Sequence, residues 1–242
     1  VKKFEDIDYL SWQRAYLNEI KNISFFTNLR EVNSIYFGGG TPSLIRAELI
    51  ENLISYIDQN FNLSSRAEIT MEANPSSINY ENLYNFKLAG INRISLGVQS
   101  FKDNELKFLG RDHNSDEAKK AIKYIEKLYD KANLDIIYGI PNKDVLTFKN
   151  DLNEILTYAL SLGHLSIYQL TIEQKTPFYK QLKSGKIKLP SEEKLSDMYF
   201  IIQEKTEKMK LPQYEISNHS TPNNESIHNL GYWRYNQYLG IG

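Results

Sequence analysis

Cysteine is absent from this 242-residue chain. Its absence excludes disulfides, thiol nucleophiles and any thiolate-held metal or iron–sulfur cluster built from these residues. Long hydrophobic runs are missing too: no apolar stretch approaches the ~20 residues that cross a bilayer, and no secretory leader follows Val1-Lys2-Lys3. Charge of one sign is equally scarce, with 29 Lys and Arg against 30 Asp and Glu. That balance gives no electrostatic footprint for nucleic acid or an anionic membrane. Glycine is sparse at 12 residues, so a place where three stand together carries information. What remains is ordinary for a globular protein, 41% hydrophobic and 24% charged, and long enough for one large domain or two small ones. The 17 Tyr and 11 Phe could furnish a flat-ligand pocket, although aromatic residues more often build core.

The glycines stand in Ser34-Ile35-Tyr36-Phe37-Gly38-Gly39-Gly40-Thr41-Pro42-Ser43. A short apolar run ends there, and a Thr-Pro-Ser step leads into a helical pattern. Each glycine has chain entropy to lose and no side chain to pack. A permissive turn explains one or two of them. Three together point to a loop whose bare backbone approaches a ligand and aims N–H groups at a charged group. No Gly-Lys-Ser/Thr follows, so this is not a Walker loop, and the G-x-G-x-x-G spacing of a dinucleotide fingerprint fails. Ser43, with Glu48 beyond it, is expected to start the next helix.

Elsewhere short β-type runs alternate with helical ones. The spacing predicts a helix over 10–29, a strand at 35–37, a helix over 44–61 and a strand over 67–72 that Pro75 stops. A helix over 81–88 ends at Gly90, and a strand over 93–99 follows. Helices over 102–109 and 115–129, a strand over 133–139, a helix over 147–162 and a strand over 164–171 complete the pattern. Such alternation predicts an α/β fold with a parallel sheet or barrel. After residue 175 come a lysine-rich turn near Lys183–Lys188, an amphipathic helix over 194–210 and a short strand over 213–218. Gly38–Thr41, Glu72, Gln99, Asp135 and Thr171 fall at or near the C-terminal ends of predicted strands, the edge where parallel α/β barrels assemble ligand chemistry.

Phe37–Ser43, Met71-Glu72-Ala73-Asn74-Pro75, Ile94–Ser100 and Leu109-Gly110-Arg111 together resemble the radical S-adenosylmethionine proteins of the oxygen-independent coproporphyrinogen III oxidase group. Tyr168–Glu173 and His228-Asn229-x-x-Tyr232-Trp233 are similar to the heme-chaperone (HemW) branch of that group. The resemblance implies a partial (β/α)6 TIM-like barrel, strands two to six lying within 1–175, and the start of a smaller C-terminal α+β region at 176–242. It implies that Gly39 meets the methionyl amino group of S-adenosylmethionine, that Glu72 accepts from ribose hydroxyls, and that Arg111 forks onto the methionyl carboxylate. Gly40, Thr41, Gln99 and Asp135, and with them Thr171, match positions facing a second S-adenosylmethionine in the oxidase. His228 is the candidate heme ligand, beside the flat surfaces of Tyr232 and Trp233. His113 and His219 are further candidates, and His164 reads as structural. Blander readings stand beside these: Arg111 as an ion-pair partner of Asp112, Asp135 as a capping or barrel-lining acid, and His228-Asn229 as a turn cap with Trp233 anchored in the core.

Radical chemistry in the family uses three cysteines, in a C-x3-C-x2-C loop after the first barrel strand, to hold a [4Fe–4S] cluster. The chain reads as beginning just after that loop, a piece of a longer protein, so these residues alone are expected to be inactive in radical chemistry. Two functions follow from the resemblance. One is a cytoplasmic heme chaperone that binds heme and S-adenosylmethionine, carries the cluster and delivers heme to acceptor proteins. It would take no nucleic acid, have no transmembrane segment and touch membrane-bound acceptors only peripherally. The other is the oxidase, converting coproporphyrinogen III to protoporphyrinogen IX. The segments 169–173 and 228–233 favour the first.

Overall fold

A computed structural model describes residues 8–24 and 31–242. Helix α1 (Tyr9–Ser24) precedes β1 (Glu31–Phe37), α2 (Ala47–Asn60), β2 (Asn62–Ala73), α3 (Tyr80–Leu88) and β3 (Arg93–Gln99). Then come α4 (Asp103–Phe108), α5 (Ser115–Leu128), β4 (Lys131–Tyr138), α6 (Val145–Leu162) and β5 (His164–Gln169). The remainder is α7 (Pro177–Lys183), α8 (Glu192–Lys208), the short strands β6 (Gln213–Glu215) and β7 (Asn218–Ser220), and α9 (Ile227–Trp233). The expected continuation of the first helix to residue 29 falls outside the described residues.

The strands are hydrogen-bonded in the order β1-β2-β3-β4-β5-β7-β6. β1 with β2 and β4 with β5 are parallel, as the alternation predicts. β7 is antiparallel to both β5 and β6. The single strand expected over 213–218 is therefore a hairpin: Ser217 takes a left-handed φ of 65°, and the chain folds back there. Sheets covered on both faces demand strands that are apolar throughout. β3 is buried at its first six positions but alternates, Ile94, Leu96 and Val98 standing between Arg93, Ser95 and Gly97.

The chain divides into two compact units. One comprises the described residues up to Ser95 with Lys123–Asp130 and Ser226–Gly242, the other Leu96–Ile122 with Lys131–Glu225. In the first, α2 buries Leu49, Ile50, Leu53 and Ile54, a helical stripe, and Met71 of β2 and Leu83 of α3 are fully buried. In the second, α6 buries Leu152, Ile155, Leu156 and Ala159, and Leu134, Leu165, Met198 and Ile202 of β4, β5 and α8 are equally dry. Each such aliphatic side chain contributes roughly 1.5–3 kcal/mol by leaving water. Helix ends follow local chemistry: Gly163 closes α6 at φ 82°, and Gly90 follows α3 at φ 105°.

Ser43 does not start α2. It lies buried in a 3-10 turn over Pro42–Leu44, and α2 begins after Arg46, which offers no side-chain cap. Its hydroxyl is instead 2.6 Å from that of Ser77.

Candidate functional site

In the first unit, the parallel register sets Ser34 beside Glu68 and Tyr36 beside Thr70. A two-residue period then puts Ser34, Tyr36, Glu68 and Glu72 on one face. Tyr36 donates its phenol proton to Glu72 Oε1 at 2.9 Å. The three glycines that follow have three different reasons. A Cβ at Gly38 would lie 2.9 Å from the Tyr36 ring and 3.3 Å from Glu72 Oε1, so only glycine fits between them. Gly39 has φ +82°, which L side chains rarely adopt. At Gly40 a Cβ would meet nothing within 4 Å, and the same is true at Gly39. Asn74 Nδ2 donates to Thr41 Oγ1 at 3.3 Å, tying the loop to the end of β2. The structure thus sets Gly38 against Glu72 and ties Thr41 to the end of β2, while Gly39 and Gly40 face open space.

His228 belongs to the same unit. Ser226, not His228 or Asn229, caps α9, accepting from Asn229 N. Glu68 Oε1 accepts from Ser226 Oγ at 3.2 Å and from His228 N at 3.3 Å, and Oε2 pairs with the fully buried Arg93 at 3.1 Å. The imidazole stacks on Tyr36, with ring centres 4.7 Å apart and planes 22° apart. Its Nδ1 lies 3.3 Å from Ser34 Oγ, and the Tyr232 ring meets it edge-on at 4.9 Å. Burial holds its pKa below the usual histidine value, with Glu68 opposing. At neutral pH the ring is therefore uncharged and retains a lone pair, the state that ligates iron. Trp233 is 53% exposed and does not anchor the segment in the core.

The second unit holds the other candidates. Gln99, the last residue of β3, has φ 69°, an unfavourable backbone for a non-glycine residue and one that clusters at ligand sites. Arg111 follows α4 and is half-buried, and its Nε, shut off from solvent, has no hydrogen-bond partner among the described residues. Burial presses the guanidinium pKa down, with Asp112 working against it. A desolvated cation with a donor to spare is suited to a carboxylate. Asp135 lies within β4, three residues before its end, beside Ser166 of β5. Thr171 is exposed two residues beyond the end of β5, so the strand stops short of the expected position, and its hydroxyl is 3.4 Å from Gln169 O.

Beside Gln99 lies a network of ions. Ser100 Oγ donates to Glu105 Oε2 at 2.5 Å, Lys143 pairs with Glu105 at 2.5 Å and with Asp151 at 2.8 Å, and Lys102 pairs with Asp151 at 3.1 Å. Glu154 joins it through Lys102 at 3.5 Å and Lys119 at 2.8 Å. Burial acts to raise the Asp151 pKa, but hydrogen bonds from Lys143 and Lys102 outweigh it and hold the carboxyl below its usual value. All of these but Lys119 line a cavity of about 10 Å³, room for one water and far too small for a nucleoside.

The remaining histidines are interior. His113 Nε2 is 3.0 Å from Val98 O, and His164 Nε2 is 2.8 Å from the Tyr214 hydroxyl. His219 is 1% exposed, and burial lowers its pKa to about 4. Neither His113 nor His219 presents a surface to a flat ligand, which leaves His228. Sequence reasoning missed Ser34, Tyr36, Glu68 and Arg93. The signal for the first two was their spacing of two along β1. Among the described residues no group of three or more His, Asp and Glu is arranged to hold a metal ion, and no helix is long and apolar enough to cross a membrane.

Comparison with known proteins places this geometry. The family model described as the radical SAM superfamily matches residues 8–155. The heme chaperone HemW of Buchnera aphidicola (Schizaphis graminum) is 41% identical over 88% of this chain and 55% of its own length. The heme chaperone HemW of Escherichia coli is 38% identical over 98% of this chain and 61% of its own. The chain therefore spans little more than half of these relatives. The solved structure of the E. coli coproporphyrinogen III oxidase HemN, a radical SAM enzyme, superposes with a TM-score of 0.77 at 20% identity, covering 97% of this chain and 52% of that one. That likeness fixes the fold, the α/β radical SAM architecture, and with the matched family model it shows that this chain belongs to the radical SAM superfamily.

Proposed function

We propose that these residues are the S-adenosylmethionine- and heme-binding part of a heme chaperone, a protein that holds heme and delivers it to acceptor proteins. The observation that carries the heme reading is His228: a neutral, half-buried imidazole with aromatic rings on two sides, in a chain 38–41% identical to proteins named heme chaperones. S-adenosylmethionine would be held by Gly39, Gly40, Thr41, Glu72, Gln99, Arg111, Asp135 and Thr171. The open cradle at Gly39 and Gly40 and the spare Nε donor of Arg111 fit the methionyl end, and Glu72 fits ribose hydroxyls. A [4Fe–4S] cluster does not fit these residues, since no cysteine is among them. Its ligands would come from elsewhere in the full protein.

On this reading residues 1–175 form the barrel portion and 176–242 begin the C-terminal region. The protein works in the cytoplasm, and its acceptors include membrane-bound proteins touched peripherally. The test is a heme titration of the full-length, cluster-reconstituted protein followed by Soret absorbance, run beside anaerobic coproporphyrinogen III turnover. Stoichiometric heme binding without turnover, weakened by His228→Ala, is the expected result. Turnover to protoporphyrinogen IX would replace the chaperone with the oxidase, the second reading that the HemN fold keeps in view.

A further inference from the structure

Tyr36 is the side chain through which Glu72 and His228 meet. Its hydroxyl is on the Glu72 carboxylate at 2.9 Å, and its ring lies against the imidazole of His228 at 4.7 Å and 22°. Ser34, two residues earlier on the same strand face, holds Nδ1 of that imidazole at 3.3 Å. Gly38 lies beside both, since a Cβ there would come within 2.9 Å of the Tyr36 ring and 3.3 Å of Glu72 Oε1. Glu72, Tyr36 and His228 therefore form one contiguous row, one end carboxylate and the other imidazole, with a two-ended phenol between.

We propose that Tyr36 is a positioning residue that couples the two ligand sites, so that S-adenosylmethionine on Glu72 and heme on His228 bind with positive cooperativity. This inference rests on the assignments made under Proposed function. A phenol free to rotate would let both neighbours wander. A ligand that fixes the Glu72 carboxylate also fixes the hydroxyl donating to it, and with it the ring that seats His228. The second ligand then meets a side chain already ordered, and the entropy it would otherwise lose is smaller. Linkage requires the effect to be reciprocal and equal in the two directions.

The experiment uses the full-length, cluster-reconstituted protein. Heme affinity is read from the Soret band without and with saturating S-adenosylmethionine, and S-adenosylmethionine affinity is read by calorimetry without and with heme. In the native protein each ligand should strengthen the other by the same factor, about threefold to tenfold, the size expected of an aromatic contact. Tyr36→Phe keeps the ring and removes the hydroxyl. It should weaken S-adenosylmethionine binding a few-fold and bring the coupling factor to one. Tyr36→Leu removes both contacts and should in addition weaken heme binding. A coupling factor of one in the native protein, or one that survives Tyr36→Phe, overturns the proposal while leaving both sites standing. If instead His228→Ala leaves the heme titration unchanged, or Glu72→Ala leaves S-adenosylmethionine binding unchanged, the site assignments themselves fall, and the coupling falls with them.

Discussion

The two units hold their polar residues in place by opposite means. In the first, one dry ion pair does it: Glu68 and Arg93, with side chains 2% and 0% exposed, fix the start of α9, and neutral and aromatic contacts do the rest. In the second, three lysines and three carboxylates share the work in a chain that reaches the surface at Lys102 and Glu154. A fully buried ion pair is costly to break, whereas a network open to water redistributes its charge. The first arrangement is rigid and brittle, the second forgiving and sensitive to salt.

The comparison is broken most directly at Glu68. Glu68→Ala removes a carboxylate from the fully buried Arg93 guanidinium and should lower stability by about 3–5 kcal/mol in urea unfolding. Adding Arg93→Met should recover most of that. A loss below about 1 kcal/mol would mean water reaches Arg93 and the brittleness is not real.

Acid should act on the second unit through His219. Its folded pKa of about 4 lies below the unfolded value of 6.5, so the unfolded chain binds the proton first. Stability is complete above pH 6.5 and falls as pH drops toward 4, by about 3 kcal/mol in all. In His219→Gln the fall should be smaller by about that amount, leaving the part due to His113 and His228, whose pKa values burial also lowers.

Lys143→Met removes the cation shared by Glu105 and Asp151. Because Lys102 remains beside Asp151, the loss should be nearer 2 kcal/mol, and it should shrink at high ionic strength. An effect as large as that of Glu68→Ala would erase the distinction between the units.

The smallest effects come from the glycine loop. Gly38→Ala crowds Tyr36 and Glu72 and should cost about 1–3 kcal/mol. Gly40→Ala faces open space and should change stability by less than about 0.5 kcal/mol, yet weaken S-adenosylmethionine binding.

What the sequence discloses here is local. β3 falls at residues 93–99 by pattern alone, and α6 stops at Gly163, because periodicity and a left-handed glycine are written in neighbouring residues. The glycine loop is legible for the same reason. Helix α7 could have been read from Thr176-Pro177, a cap followed by proline at the first helical position, but the lysines nearby suggested only a turn. Ser43 looked like a cap because the local signal is right; a distant serine, Ser77, claims its hydroxyl instead. The row of Glu72, Tyr36 and His228 was out of reach. Ser34 and His228 are 194 positions apart, and no window of pattern reading spans that distance.

One measurement bears most directly on the proposal that Glu72 and Arg111 hold S-adenosylmethionine. Calorimetric titration of S-adenosylmethionine into the full-length reconstituted protein should show binding. Glu72→Ala and Arg111→Ala should each weaken it by about tenfold or more, roughly 1.4 kcal/mol, with native folding retained. Native affinity in both variants would contradict the account.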